Sequence, residues 1–184
     1  MQFRSIGKDV TIYPLARIIC PEEISIGNNV IIDDFVFLYG KGGITIGDFV
    51  HISHFSSVSG GSGLVIGDFA TISSGVRICT GNDDYSGMGM TNPTIPKRYR
   101  SVTRGSIHIG KHVIIGANSV ILPNVEIGEG VAIGACSLVK GNCYPWKIYA
   151  GCPVGVIAIR ESSNILKMEK KLRDESFIDT TPSR

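Results

Sequence analysis

From Ser106 to Val139 aliphatic residues and turn-forming residues alternate in short blocks: SIHI, GKH, VII, GAN, SVI, LPN, VEI, GEG, VAI, GAC, SLV. The same beat runs upstream, with a period of 20 residues in place of 18. Ile6, Ile26, Ile46 and Ile66 each precede a glycine, and Ile109-Gly110 and Ile127-Gly128 continue the series. Six residues on from these heads lie Ile12, Ile32, Ile52, Ile72, Ile115 and Ile133. Twelve on lie Ile18, Leu38, Val58, Ile78, Ile121 and Val139. Such spacing fits neither a helical face nor strand alternation. It predicts a chain that turns a corner every six residues, so that three short strands make one triangular coil and successive coils stack at about 4.8 Å. The heads then point inward, aliphatic on aliphatic. The glycine after each first head is expected to supply the positive φ of a sharp corner. Two extra residues near Pro21-Glu22, Lys41-Gly42 and Gly61-Ser62 are expected to be absorbed at the third corner.

The middle residue of each short strand points outward. That places Thr11, Ile31, His51, Thr71, Ile114 and Ala132 on one face. Arg17, Phe37, Ser57, Arg77, Val120 and Leu138 fall on the next, and Ser5, Ser25, Thr45, Val65, His108 and Glu126 on the third. Ile31, Phe37, Ile114, Val120 and Leu138 would be exposed on a lone chain, and apolar positions aligned on flat faces imply burial against another subunit. The beat stops at Gly81 and resumes in register at Ser106. The insertion, residues 81–105, is acidic and glycine-rich in its first half (Asn82, Asp83, Asp84, Tyr85), and its second carries Lys97, Arg98, Arg100 and Arg104. A long loop on a rigid scaffold marks function. Here it reads as a flap whose basic half suits phosphate groups.

The repeat resembles that of the hexapeptide-repeat acyltransferases. The likeness runs over about residues 5 to 160 and implies an all-β, left-handed parallel β-helix and a homotrimer with sites between subunits. The piece AGCPVGVI, Ala150 to Ile157, is similar to the closing AGxPAKxI of that family, whose chain packs beside acyl-CoA. Gly151 and Pro153 match. Val154-Gly155 stands where the family has Ala-Lys, so Lys140 and Arg160 are the substitutes for a basic contact to CoA. Ala117 and Ala135 match the small turn residues along which pantetheine lies. The domain expected is 1–160 with its inserted loop, followed by a C-terminal segment 161–184. In that segment Ile165, Met168 and Leu172 recur at helical spacing after Ser162-Ser163, predicting a capping helix over 163–174 and a loose polar tail from Ser176.

Acyl transfer from a thioester needs a base for the acceptor, donors for the oxyanion and a groove aligning two substrates. Histidine suits the first task. Of the four histidines, His112 sits at a turn position equivalent to Phe49 and Phe69 and reads as packing. His108 points outward near where the loop rejoins. His51 and His54 share a short serine-rich segment below the loop, which favours a site role for His51 with His54 beside it. In galactoside, maltose and xenobiotic acetyltransferases the catalytic histidine lies just inside the loop, where this chain has Asn82. Three readings follow: His51 replaces the missing base, Asp83 or Asp84 does so, or the acceptor is an amine that needs little help. The preferred one is His51 as base with Asp83 orienting it across a subunit boundary; His54, Asn82, Asp84 and Tyr85 would contact the acceptor.

Composition narrows the rest. A hydrophobic share of 43% beside 18% charged residues indicates a packed core, and a net charge of +2 does not call for a nucleic-acid partner. No run of apolar residues is long enough to span a membrane, and the N-terminus MQFRSIGKDV has no apolar leader, which points to the cytoplasm. The odd number of cysteines, five without CxxC pairing, reads as free thiols. The expected activity is acetyl-CoA-dependent transfer to a sugar, a nucleotide-linked amino sugar of surface polysaccharide synthesis, with an O-acetyltransferase of glycosides or a non-catalytic scaffold as alternatives. A zinc hydratase on the same helix needs two histidines with four residues between; His108 and His112 have three, and no metal is expected.

Overall fold

The computed structural model describes residues 1–178, and the six-residue beat becomes three parallel sheets visited in rotation. The first sheet collects Ser5–Ile6, Ile24–Ile26, Ile44–Ile46, Leu64–Ile66, Ile107–Ile109 and Val125–Ile127. The second begins with Thr11–Ile12, Ile31–Ile32, His51–Ile52, Thr71–Ile72, Ile114–Ile115 and Ala132–Ile133. The third holds Arg17–Ile19, Phe37–Tyr39, Ser57–Ser59, Arg77–Cys79, Val120–Ile121 and Leu138–Val139. Register survives the insertion: Ile66 pairs Ile109, Ile72 pairs Ile115 and Ile78 pairs Ile121. The solenoid therefore treats residues 81–105 as a detour from one corner. All heads are buried except Ile6 and Ile12, which belong to the open first coil.

Of the outward apolar residues, Ile31, Phe37 and Ile114 are exposed, whereas Val120 and Leu138 are half-buried. Two more exposed aromatics join them at the second corner: Phe35 and Phe55 stack with centroids 5.1 Å apart.

The corner glycines correct one expectation. Gly27, Gly47 and Gly67 do not carry the positive φ, which falls two residues later at Asn29, Phe49 and Phe69 and again at His112. Glycine is required for space. A Cβ on Gly47 would lie 2.4 Å from the Asp68 Oδ1, and one on Gly67 would lie 2.8 Å from the Lys111 nitrogen. The next residue uses that closeness: Asn28 Oδ1 accepts the Lys8 N–H (2.8 Å), Asp48 Oδ1 that of Asn28 (2.6 Å) and Asp68 Oδ1 that of Asp48 (3.0 Å). Beside this ladder the positive-φ residues stack their rings, Phe49 on Phe69 at 5.0 Å and Phe69 on His112 at 4.9 Å. His112 is thus a packing residue, as its turn position suggested.

At the third corner the extra residues form a 3₁₀ turn at Pro21–Glu23 and positive-φ pairs at Gly42-Gly43 and Gly60-Gly61. After Val139, Lys147–Gly151 extends the second sheet in parallel and Val154–Ile159 folds back antiparallel on it, making eight strands.

The helix runs Ser163–Ile178, longer than the predicted 163–174, and so takes in Ser176, where a loose tail was expected; the rest of that tail, 179–184, lies outside the described residues. It is also held differently. Met168 is exposed, and the docking is electrostatic. The Glu169 carboxylate accepts from Lys111 Nζ (2.8 Å), His112 Nε2 (2.6 Å) and Arg173 Nε (2.8 Å). Arg173 also donates to Asp68 Oδ2 at 2.9 Å, capping the ladder, and lies over the Phe69 ring. Burial alone would push the Glu169 carboxyl up; its three donors outweigh that and hold it at about 2. No described helix is long and apolar enough to cross a membrane. All five cysteines are free, and burial pushes the Cys143 thiol up to about 11.

Candidate functional site

The insertion folds as a flap on a two-stranded stem, Gly81–Asp83 antiparallel to Val102–Arg104, with Asn82 opposite Thr103. Between that stem and the third corner of the coils lies a cleft of about 540 Å³. Tyr39, Gly60 and Gly61 come from the coils and Lys97, Arg100, Val102 and Arg104 from the flap, with Lys41 at the rim; no carboxylate lines it. The Arg104 guanidinium is anchored on the Gly60 carbonyl. Arg100 Nε is buried with no hydrogen-bond partner among the described residues. Four cations around one opening, beside an aromatic ring, form a seat for a multiply charged anion with a flat group attached. The basic half of the loop was legible in the sequence. Tyr39 and Lys41 were missed, because only the fold brings two upstream coils under the flap.

The acidic half of the loop divides its work. Asp84 serves the flap itself: its Oδ1 accepts from the Ser86 hydroxyl (2.6 Å) and N–H (3.0 Å), and its Oδ2 from the Gly89 N–H (3.0 Å). The Ser86 hydroxyl and main-chain bonds hold the Asp84 carboxyl at about 2, which makes it a poor proton acceptor at neutral pH. Asp83 Oδ2 accepts a longer bond from the Asn92 N–H, 3.3 Å, and its Oδ1 has no partner among the described residues. Tyr85 is at the flap tip, 89% exposed.

His51 stands on the second sheet, its ring half-exposed. The group that orients it within the chain is Asp33, whose Oδ2 lies 3.1 Å from His51 Nε2. No such bond joins His51 to Asp83 within the chain. The same Asp33 oxygen accepts the His54 N–H at 3.3 Å, and His54 Nδ1 approaches it to 3.8 Å while bonding Ser53 Oγ at 3.2 Å. Asp33 carried no motif in the sequence. The signal available was its position, one residue past the Ile32 head and eighteen before His51, which puts it on the adjacent rung. Among the described residues no three His, Cys, Asp or Glu stand where they could hold a metal ion.

Four of the six residues expected along the donor, Ala117, Ala135, Gly151 and Pro153, gather at the second corner. Ala117 O accepts the Cys136 N–H at 2.8 Å. The buried Ser137 hydroxyl donates to Ala135 O (3.4 Å) and accepts the Gly151 N–H (3.2 Å), drawing Ala135 and Gly151 together. Cys152-Pro153, a cis peptide, closes the hairpin at that end. Lys140 is exposed and lies past the third-sheet strand, so it does not join this group. Arg160 is engaged elsewhere: its Nη1 donates to the carbonyls of His112 (2.7 Å), Gly130 (3.0 Å) and Val131 (3.4 Å), where it clamps the hairpin to the first corner. His54 occupies the same second corner, two rungs below Ala117.

The family of bacterial hexapeptide (six-repeat) transferases matches residues 106–141. The chain is 44% identical to dTDP-4-amino-4,6-dideoxy-D-glucose acyltransferase of Escherichia coli, over 97% of this chain and 93% of that protein. Among solved structures it is similar to AntD, an N-acyltransferase from Bacillus cereus in complex with dTDP and 3-hydroxybutyryl-CoA. Identity is 46% and the TM-score 0.90, over 95% of this chain and 92% of that one. The hexapeptide-repeat acetyltransferase VCA0836 of Vibrio cholerae shares the fold at 19% identity and a TM-score of 0.59, over 86% of this chain and 75% of that one.

Proposed function

The chain belongs to the hexapeptide-repeat acyltransferases, and from that premise we propose that it transfers an acyl group from acyl-CoA to the amine of a nucleotide-linked amino sugar. The observation that carries this reading is the basic cleft beneath the flap. Lys41, Lys97, Arg100 and Arg104 match a diphosphate, and Tyr39 gives a nucleobase or sugar ring a flat wall. From the likeness to the Escherichia coli and Bacillus cereus relatives the acceptor proposed is dTDP-4-amino-4,6-dideoxyglucose or a close analogue, and acetyl-CoA is the donor proposed. Ala117, Ala135, Gly151 and Pro153 line the donor's path along the second corner; Lys140 sits apart from it, and Arg160 is committed to carbonyls.

Asp83, with one oxygen free, receives the acceptor's amine, beside Asn82 and Tyr85. Structures of the Bacillus cereus enzyme include forms altered at a serine and at an aspartate ten positions further on. In this chain ten positions separate Ser73 from Asp83 and Ser74 from Asp84. Because Asp84 has both oxygens committed inside the flap, the first pair is the one that suits a substrate.

The donor path follows the second corner and the phosphate seat the third, so one chain holds the two substrates on different edges. A homotrimer brings the second corner of one copy to the flap of the next, and the exposed Ile31, Phe35, Phe37, Phe55 and Ile114 around that corner supply the apolar surface for it. The setting proposed is cytoplasmic synthesis of sugars for surface polysaccharide.

The test is release of CoA thiol from acetyl-CoA against a panel of dTDP-linked amino sugars, their hydroxyl counterparts and free glycosides. Turnover confined to the amino sugars is expected. Turnover confined to hydroxyl acceptors would replace N- by O-acylation, and a chain that binds neither acetyl-CoA nor dTDP by calorimetry would be a scaffold.

A further inference from the structure

We propose that the cleft beneath the flap recognises polyphosphate by charge and in its metal-free form. Free nucleoside di- and triphosphates then displace the acceptor from it, and Mg²⁺ relieves the displacement. This deepens the acyltransferase reading and rests on it, because it takes the acceptor's diphosphate to lie in that cleft.

Three observations meet. The first is the balance of charge. Lys41, Lys97, Arg100 and Arg104 surround one opening of about 540 Å³, and no carboxylate lines it. The diphosphate of a nucleotide sugar is esterified at both ends and carries about two negative charges. A free nucleoside diphosphate carries about three at neutral pH and a triphosphate about four, since a terminal phosphate loses its second proton with a pKa of about 6. The four cations are therefore matched by the triphosphate and left partly unmatched by the acceptor. Secondly, Arg100 Nε is buried with no hydrogen-bond partner among the described residues. A donor left in that state favours an incoming oxygen anion, the more so the more charge the anion carries. Arg104, from the same flap, is already held on the Gly60 carbonyl, so part of the seat is fixed before anything binds.

The third observation concerns the groups that would hold a metal. Mg²⁺ in a nucleotide site bridges phosphate oxygens to one or two protein carboxylates. Glu23 and Asp83 flank this cleft without lining it, and each is engaged by the main chain: Glu23 Oε2 accepts the Gly42 N–H at 3.0 Å, and Asp83 Oδ2 accepts that of Asn92 at 3.3 Å. A polyphosphate that arrives with Mg²⁺ has lost the charge the cleft reads, and it sets the metal against four cations. Mg²⁺ binds the crowded charges of a triphosphate far more readily than a diphosphate diester. It therefore withdraws the competitor and spares the acceptor.

The experiment pairs calorimetry of the full-length protein with initial rates of amino-sugar acylation. The ligands are dTMP, dTDP and dTTP, each in EDTA and in excess Mg²⁺. In EDTA each added phosphate should tighten binding by about tenfold. Excess Mg²⁺ should weaken dTTP by about tenfold or more while the KM of the dTDP-linked amino sugar stays within about twofold. In EDTA dTTP should raise that KM without lowering kcat, and Mg²⁺ should undo the rise. Arg100→Met should flatten the gain from dTMP to dTTP, and so should Lys97→Met, whose side chain is exposed and does not burden the fold. Equal affinity for the three nucleotides, or an affinity for dTTP that rises with Mg²⁺, overturns the inference. Acylation of the amino sugar that dTTP leaves uninhibited in EDTA also overturns it, and the acceptor reading stands. If dTTP competes with acetyl-CoA and not with the amino sugar, the cleft holds the donor, and the acceptor reading falls together with the inference.

Discussion

Replacing Arg100 by methionine should move stability and ligand binding in opposite directions. The side chain sits in the cleft with its Nε buried and unpartnered among the described residues, and such a donor costs about 1–3 kcal/mol. Methionine keeps an unbranched apolar stem and removes the donor, so the ligand-free variant should be more stable by about 1 kcal/mol, a rise in Tm of about 2–4 °C for a chain of this size. Binding should fall, because a charge-assisted bond to phosphate is worth about 1.5–3 kcal/mol; a thirtyfold loss of affinity lies inside that range. With dTDP at a hundred times the wild-type Kd, the wild type gains about 2.7 kcal/mol, whereas a thirtyfold weaker variant gains about 0.9 kcal/mol. Thermal melts of both proteins, with and without dTDP, read the two effects together. The curves should cross, the variant melting higher alone and lower with ligand. Equal dTDP-induced shifts would show that the phosphates bind elsewhere and would remove the cleft from the acceptor site.

Two other substitutions test the frame. Glu169→Ala leaves His112, Lys111 and Arg173 without their shared acceptor; it should lower hydrogen-exchange protection across the C-terminal helix by about 2 kcal/mol while the coil amides keep theirs, and a uniform loss would make the helix part of the solenoid's cooperative unit. The same carboxyl fixes a pH dependence. Its folded value, about 2, is below the ordinary value of about 4.3, so its stabilisation is complete above that and is lost as the pH falls through about 2; helix exchange that is flat over this acid window in the wild type would contradict it. Gly47→Ala places a methyl group 2.4 Å from Asp68 Oδ1 and 2.8 Å from its main-chain nitrogen. That substitution should cost about 1–3 kcal/mol, and an unchanged Tm would mean that the coils are not stacked as closely as the ladder requires.

What the chain shows in its sequence depends on how far apart the interacting residues are along the repeat. The core heads were legible because each is bound to its neighbours by a constant step, so Ile52, Ile72 and Ile115 announce one another. The insertion was legible as a broken beat, and its basic half as a run of like charges. Asp33 was not, since a single aspartate one rung from a histidine leaves no periodic trace. The corner glycines were seen for an incomplete reason. Positive φ is tolerated there by Asn29, Phe49, Phe69 and His112, whereas the glycines two positions earlier are demanded by the neighbouring rung, a contact that one coil cannot reveal. The helix was misjudged in the same way. The spacing of Ile165, Met168 and Leu172 announced a helix but not its ion pairs: Glu169 and Arg173 answer to Asp68, Lys111 and His112.

That last contact joins scaffold to site. The side-chain ladder on the first corner runs from Asn28 through Asp48 to Asp68 and ends on Arg173, so the rungs are tied along that edge. The second and third corners are thereby left for the donor and acceptor proposed above. On the second, His54, the stacked Phe35 and Phe55, Asn118, Ala135 and Cys136 are exposed. On the third, doubled glycines stand at positions 42–43 and 60–61, and Gly60 and Gly61 line the cleft beneath the flap. A rigid triangular prism cannot move these edges together, because each rung is hydrogen-bonded to the next along all three sheets. In the arrangement proposed above, with the thioester on one edge and the amine on another, a neighbouring copy joins the two, and a chain kept monomeric by charges at Phe35 and Phe55 should bind dTDP in its cleft yet release no CoA thiol.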